Sequence, residues 1–276
     1  MILAFGLGLY AATFQKVYVQ EQGIPSPDVS AAPTILYFFA VIAVLAIALF
    51  FIPLNKLRWV FRGLFTLMYA WGIFVLLWLV SPYDNVYAIG AVAVAAGLLW
   101  LFWARIWLHD ILLLIALSVG GSIFGFFFSP LTFLVIMLVI SVYDLLAVRF
   151  GFMVWMADKM SESTTLPAFI FPKDLGFWNA GVHKIRLREL AEEESEQREY
   201  TILGGGDIAF PLMFSASIFF QADMARAVIV GAFSLVGLMG AFLIQTLWLK
   251  GKPVPALPPV TGGAIVGFLV IRFLLP

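Results

Sequence analysis

The sequence predicts an all-α membrane protein of nine transmembrane helices, and three observations carry that prediction. The 276 residues are 63% hydrophobic and 12% charged, against roughly 45–50% and about 25% in a soluble globular chain. Aromatic residues reach 16%, with 28 Phe, a density that calls for apolar surroundings rather than water. Apolar runs of spanning length recur along the whole chain, separated by short stretches of proline, glycine or charge. A water-soluble fold and a disordered chain are both excluded.

A spanning helix takes roughly 20 mostly apolar residues. By that measure the spans lie at about 1–19, 34–54, 59–80, 86–104, 109–128, 131–155, 201–221, 225–249 and 257–275. Met1 leads straight into apolar residues with no basic segment and no small-residue cleavage pattern, so the first run is expected to be a retained span. Pro25, Pro27 and Pro33 separate the first span from the second, and Pro53 the second from the third. Ser81-Pro82 and Ser129-Pro130 punctuate later joints, and Pro253, Pro255, Pro258 and Pro259 crowd the start of the ninth span. Gly120, Gly121 and Gly125 weaken the fifth helix but let neighbours approach closely in lipid, so they are expected to serve packing.

Between the sixth and seventh spans the chain turns polar. Residues 157–200 carry nine of the sixteen acids, with Glu192, Glu193, Glu194 and Glu196 near the end. A solvated loop with a short surface helix over His183 to Tyr200 is expected there. The organisation is thus six spans over 1–156, a polar cytoplasmic loop over 157–200 and three spans over 201–276, within one membrane domain.

Lysine and arginine set the orientation, since acids contribute little to it. Thirteen of the sixteen bases belong to the even-numbered connections, with Arg149 counted beside the long loop. The odd-numbered connections hold two, Lys16 and Arg226, and Arg272 lies near the far end, where it can snorkel. The N-terminus and the long loop are therefore expected in the cytoplasm and the C-terminus outside. Net charge is zero, so no overall field recruits nucleic acid. With no cysteine and two histidines, His109 and His183, the chain lacks the residues for thiol chemistry or a common zinc site, and no metal or cofactor is expected.

An acid in the middle of a spanning helix costs about 2.5–3.5 kcal/mol on insertion scales and is a functional candidate by default. Glu21, Asp28, Asp84, Asp110 and Asp223 are assigned to short connections and nine acids to the loop, which leaves Asp144 and Asp207. Asp144 precedes the predicted end of the sixth span by roughly 8–11 residues, or ~12–16 Å. Asp207 follows the predicted start of the seventh by roughly 6 residues, or ~9 Å. On consecutive antiparallel helices the two carboxyls reach similar depth and can meet. Two such groups in a low-dielectric place cannot both ionise easily, and the pair holds one shared proton. They are either an aspartic-protease dyad, activating water against a peptide carbonyl, or unrelated acids that cap a broken helix or pair with a base. Arg149, five residues beyond Asp144, is off the i+4 face and is a poor local partner.

Gly204, Gly205 and Gly206 precede Asp207 and together remove about 3 kcal/mol of helix propensity relative to alanine. Irregular backbone at membrane depth survives only against protein or a water-filled cavity, so Asp207 is expected to border water. The prolines ahead of the ninth span favour an extended segment at the membrane edge that could pair with another strand.

These residues resemble the presenilin and signal-peptide-peptidase family of intramembrane aspartyl proteases. That family carries Tyr-Asp in its sixth span, Gly-x-Gly-Asp in its seventh and Pro-Ala-Leu at its ninth. Here the chain has Tyr143-Asp144, Gly204-Gly205-Gly206-Asp207 and Pro255-Ala256-Leu257, in that order and on those spans. The resemblance covers essentially the whole chain and is most like a compact microbial presenilin homologue. It implies a catalytic pair of Asp144 and Asp207, with Gly204 and Gly206 shaping the adjacent backbone. Pro255, Ala256 and Leu257 would help to form the site and engage substrate, and Tyr143 would flank it. The implied substrates are single-span membrane proteins with their N-termini outside, unwound for cleavage in the bilayer. The charge asymmetry matches the presenilin orientation, and the expected location is a cell membrane. No accessory subunit is required by the sequence, and a homo-oligomer is compatible with it. The rival class is a secondary transporter or ion pathway, which also uses intramembrane acids and broken helices; it predicts inverted repeats, and a six-plus-three division with one proline-rich end has none.

Overall fold

The computed structural model describes residues 1–25, 31–51, 54–81, 85–150, 165–182, 185, 199–247 and 255–274. Among these residues the chain forms nine α-helices and one two-stranded sheet. The helices are α1 (Ile2–Glu21), α2 (Ala31–Phe51), α3 (Leu54–Val80), α4 (Val86–Phe102), α5 (Ile106–Phe127) and α6 (Pro130–Arg149), then α7 (Gly206–Gln221), α8 (Met224–Leu247) and α9 (Leu257–Phe273). Strands β1 (Ala168–Pro172) and β2 (Tyr200–Gly204) lie between α6 and α7, with a 3-10 turn over Leu175–Asn179. Each helix follows one of the apolar runs, and five are long and apolar enough to cross a membrane: α1, the Arg58–Val80 part of α3, α5, α6 and α8.

The helices are apolar all the way round. Phe214 and Met137 are fully buried, whereas Leu67, Leu131 and Val236 are all at least 60% exposed. In water such exposure would be untenable; it is what lipid-facing positions require. The chain is a multi-pass membrane protein.

Two compact units divide the chain. The first comprises residues 1–39, 117–149 and 206–276. Its core joins Leu9 and Ala12 of α1, Phe133 and Met137 of α6, Phe214 and Ile218 of α7, Val230 of α8 and Ala264 of α9. Close approach is built from small residues. A methyl group at Gly121 would strike Leu212, and one at Gly125 would strike the Ala216 backbone, so these two glycines seat α7 against α5. Gly120 meets nothing within 4 Å and has no such part. Between α8 and α9, methyl groups at Gly237 and Gly263 would collide with the backbone at Pro259 and Phe233.

The second unit comprises residues 40–116 and 150–205. Here the structure corrects the expectation of a solvated loop. Leu166, Ile170, Val182 and Ile185 are at most 5% exposed and pack with Ile106. The run Ala168–Pro172 is short, apolar and aromatic between two prolines, which suits a buried strand and is far too short for a span. It pairs antiparallel with Tyr200–Gly204, Ala168 opposite Gly204 and Pro172 opposite Tyr200. The fold is therefore all-helical, as expected, with one small two-stranded sheet added to it. The seventh helix starts at Gly206 rather than near 201, because the glycines that weaken a helix end the strand instead. His183, Pro253 and nearly all of the charged run from 183 to 198, including the expected surface helix, lie outside the described residues.

Candidate active site

Asp144 lies five residues before the end of α6, and Asp207 is the second residue of α7. Both are nearer to their helix ends than the apolar runs suggest, because α6 is described as helix only to Arg149 and α7 begins late. Both shifts run in the same direction, toward the segment that joins the two helices. Both belong to the first unit, α6 packs directly against α7, and the carboxyls are close enough to interact electrostatically. Each is partly accessible rather than sealed.

The start of α9 completes the arrangement. A helix leaves its first N–H groups without intrahelical partners. Pro258 and Pro259 occupy the second and third positions of α9 and have no N–H, and Val260 already donates to the Ala256 carbonyl. The donor left at the head of the helix is the Leu257 amide, which donates to Oδ2 of Asp144 at 3.2 Å. Asp144 thus caps a helix it does not belong to. One turn away, the buried hydroxyls of Ser141 and Thr261 are 2.6 Å apart. The two contacts, 144 to 257 and 141 to 261, fix α6 and α9 as antiparallel neighbours in register.

Gly204 ends β2, Gly205 donates its amide to the Pro167 carbonyl at 2.9 Å, and Gly206 opens α7. The change from strand to helix is therefore made in a single residue. None of the three uses the left-handed region, which among the described glycines only Gly23 occupies, at φ 61°. A methyl at Gly206 would meet the Phe210 ring at 3.5 Å, an ordinary contact. Pro211 follows Asp207 by four residues within α7, so the Asp207 carbonyl receives no i+4 hydrogen bond. Tyr143 is 49% exposed beside Asp144, Pro255 and Ala256 are partly buried, and Leu257 is buried. Asp144 and the head of α9 at Leu257 are brought together, Asp207 stands on the helix packed against α6, and Gly204 and Gly206 precede Asp207 along the chain.

Residues 9–275 match the family described as "Signal-peptide peptidase, presenilin aspartyl protease". The chain belongs to that family. It is an aspartic endopeptidase of the membrane-embedded class, in keeping with an acid on each of two packed helices. Two solved structures share the fold, each a presenilin family intramembrane aspartate protease. One, in space group C222, is 21% identical, with a TM-score of 0.67 over 99% of this chain and 97% of that one. The other, in space group P2, is 22% identical, with a TM-score of 0.62 over 98% and 96%. No curated protein matches.

Two further residues escaped the sequence reading. Asp110, assigned to a connection, lies inside α5 and is 7% exposed, and its neighbour His109 is fully buried. Nε2 of His109 donates to the Ala168 carbonyl at 3.1 Å, and Nδ1 takes the Tyr69 hydroxyl at 2.9 Å. A carbonyl can only accept, so the neutral ring carries its hydrogen on Nε2. The Asp110 carboxyl accepts from the Ile170 amide at 3.1 and 3.3 Å. One signal was available: one of only two histidines in the chain stands next to an acid at the head of an apolar run.

Proposed function

We propose that the protein cleaves single-span membrane proteins within the bilayer, with Asp144 and Asp207 as a dyad that holds one proton. The ionised carboxyl takes a proton from water, whose oxygen adds to the peptide carbonyl carbon, while the protonated partner donates to the carbonyl oxygen. The gem-diol then collapses: the carbon–nitrogen bond breaks, the amine leaves with a proton, and the dyad returns to its starting state. What supports this reading is the placing of two acids on helices that pack against each other, within electrostatic reach, with the Leu257 amide donating to one of them.

A helical substrate hides its peptide bonds, so it must be extended to be cut. The second edge of β2 suits that task. The amides of Gly205 and Lys173 reach across to Pro167 and Glu199, so odd-numbered residues of the two strands face each other. Ile202 and Gly204 therefore turn their main-chain groups to the outer edge, where among the described residues no strand lies. An extended substrate segment added there would run beside the residues that lead into Asp207. Nine spans, a cytoplasmic N-terminus and loop, an outside C-terminus and a cell-membrane location complete the proposal, with substrates whose N-termini lie outside. No accessory subunit is invoked, and a homo-oligomer is accommodated.

The test is incubation of detergent-solubilised protein with a single-span substrate. Two peptide products are expected from the wild type, and a loss of at least about 100-fold from Asp144→Asn and from Asp207→Asn. Undiminished cleavage in either variant removes that residue from the mechanism. Solute flux into proteoliposomes without any peptide product would point to the transporter class instead.

A further inference from the structure

One edge of β1 is paired with β2, and its other edge is closed by something that is not a strand. Residues 168 and 170 of β1 turn their main-chain groups away from β2, toward α5. There Nε2 of His109 donates to the Ala168 carbonyl at 3.1 Å and the Asp110 carboxyl accepts from the Ile170 amide at 3.1 Å. Ile170 is fully buried, so without Asp110 its amide would be orphaned. His109 is in turn held by the Tyr69 hydroxyl at 2.9 Å. The same helix head takes hold of the chain beyond β1: the Ile106 amide donates to Ala180, the Val182 amide to Ala104, and the Arg105 guanidinium to the Asn179 carbonyl at 2.7 Å. All these groups lie within one compact unit.

We infer that His109 and Asp110 are positioning residues that stand in for a third strand on β1, fixing the register of the β1–β2 pair whose last residue lies three positions before Asp207. Two consequences follow. The alternation of a strand lets register slip only in steps of two residues without turning buried side chains outward, and the paired donor and acceptor of α5 oppose that slip directly. They also occupy the one other edge to which a further strand could add, leaving β2 as the edge for an extended substrate. The inference rests on the Asp144–Asp207 protease reading, because its readout is where and how fast that dyad cuts.

The experiment compares Asp110→Leu and His109→Phe with Asp110→Asn and His109→Gln in the full-length, detergent-solubilised protein. Asn keeps an acceptor for the Ile170 amide, and Gln keeps a donor for the Ala168 carbonyl. The apolar variants should lower kcat about tenfold or more with KM within about twofold, and the conservative ones should recover most of the rate. Mass spectrometry of the products should find new termini displaced by two residues in the apolar variants alone. A folded Asp110→Leu protein with wild-type kcat and wild-type termini overturns the inference, as does a rate loss that tracks the folded fraction with unchanged termini. Should neither apolar variant fold, hydrogen exchange on the wild type decides. The Ile170 amide should be protected despite facing away from β2, and rapid exchange there refutes the anchor. Asp207→Asn separates the two levels. If it still cleaves, the dyad reading fails; if it is inactive while Asp110→Leu is unaltered, only the positioning role fails.

Discussion

At the scale of single residues, the site depends on main-chain donors as much as on side chains. Asp144 is oriented by the Leu257 amide, and the register that brings it there is pinned by the buried Ser141–Thr261 pair. Removing one hydroxyl leaves the other without its partner, although each can turn back to a carbonyl one helical turn earlier. Ser141→Ala and Thr261→Val should each cost about 1 kcal/mol in thermal unfolding, and the double variant less than the sum. Strict additivity in that cycle would show that the two hydroxyls do not hold each other. Gly206→Ala should leave folding unchanged, since a methyl there makes only ordinary contact with Phe210. Asp144 and Asp207 were legible in the sequence because their residue type contradicts their surroundings. The Leu257 amide was not, since every residue but proline carries one. Asp110 went unseen because hydropathy places it at the edge of a run, where acids are ordinary, and only the tertiary contact to β1 makes it buried.

At the scale of elements, hydropathy locates helices well and says little about what lies between them. All nine runs appear as helices among the described residues, yet a window of about 20 residues averages a strand and the helix after it into one span. That is how Tyr200–Gly204 merged with α7, while β1 vanished into the polar composition around it. Packing between helices is equally hidden, because a glycine that seats a neighbour and one that faces lipid look alike in sequence. Gly237 and Gly240 distinguish the two cases on one helix. A methyl at Gly237 would strike the Pro259 backbone, and one at Gly240 meets nothing within 4 Å. Gly237→Ala should therefore destabilise the protein by about 1–3 kcal/mol. It should also lower cleavage, because the displaced segment is the head of α9 that holds Asp144. Gly240→Ala should be neutral, or stabilising by about 1 kcal/mol. Equal unfolding temperatures for the two variants would remove the tight α8–α9 contact from the account.

At the scale of the whole molecule, orientation decides which proteins can be substrates. Thirteen bases against two favour a cytoplasmic N-terminus and long loop. The acids sit near the ends of α6 and α7 that border that loop, so cutting is expected in the cytoplasmic half of the bilayer. A substrate with its N-terminus outside would then release its C-terminal piece on the cytoplasmic side. The absence of cysteine makes the orientation directly measurable, since any cysteine introduced is the sole thiol. Gln22→Cys, just beyond α1, should react with a membrane-impermeant maleimide on intact cells. Ser161→Cys, in the polar segment, should react only after permeabilisation. Both variants must retain cleavage for the labelling to count. The reverse pattern would invert the molecule, move the dyad to the outer half of the bilayer and exchange the substrate class for single-span proteins with their N-termini inside, while leaving the chemistry of Asp144 and Asp207 as described.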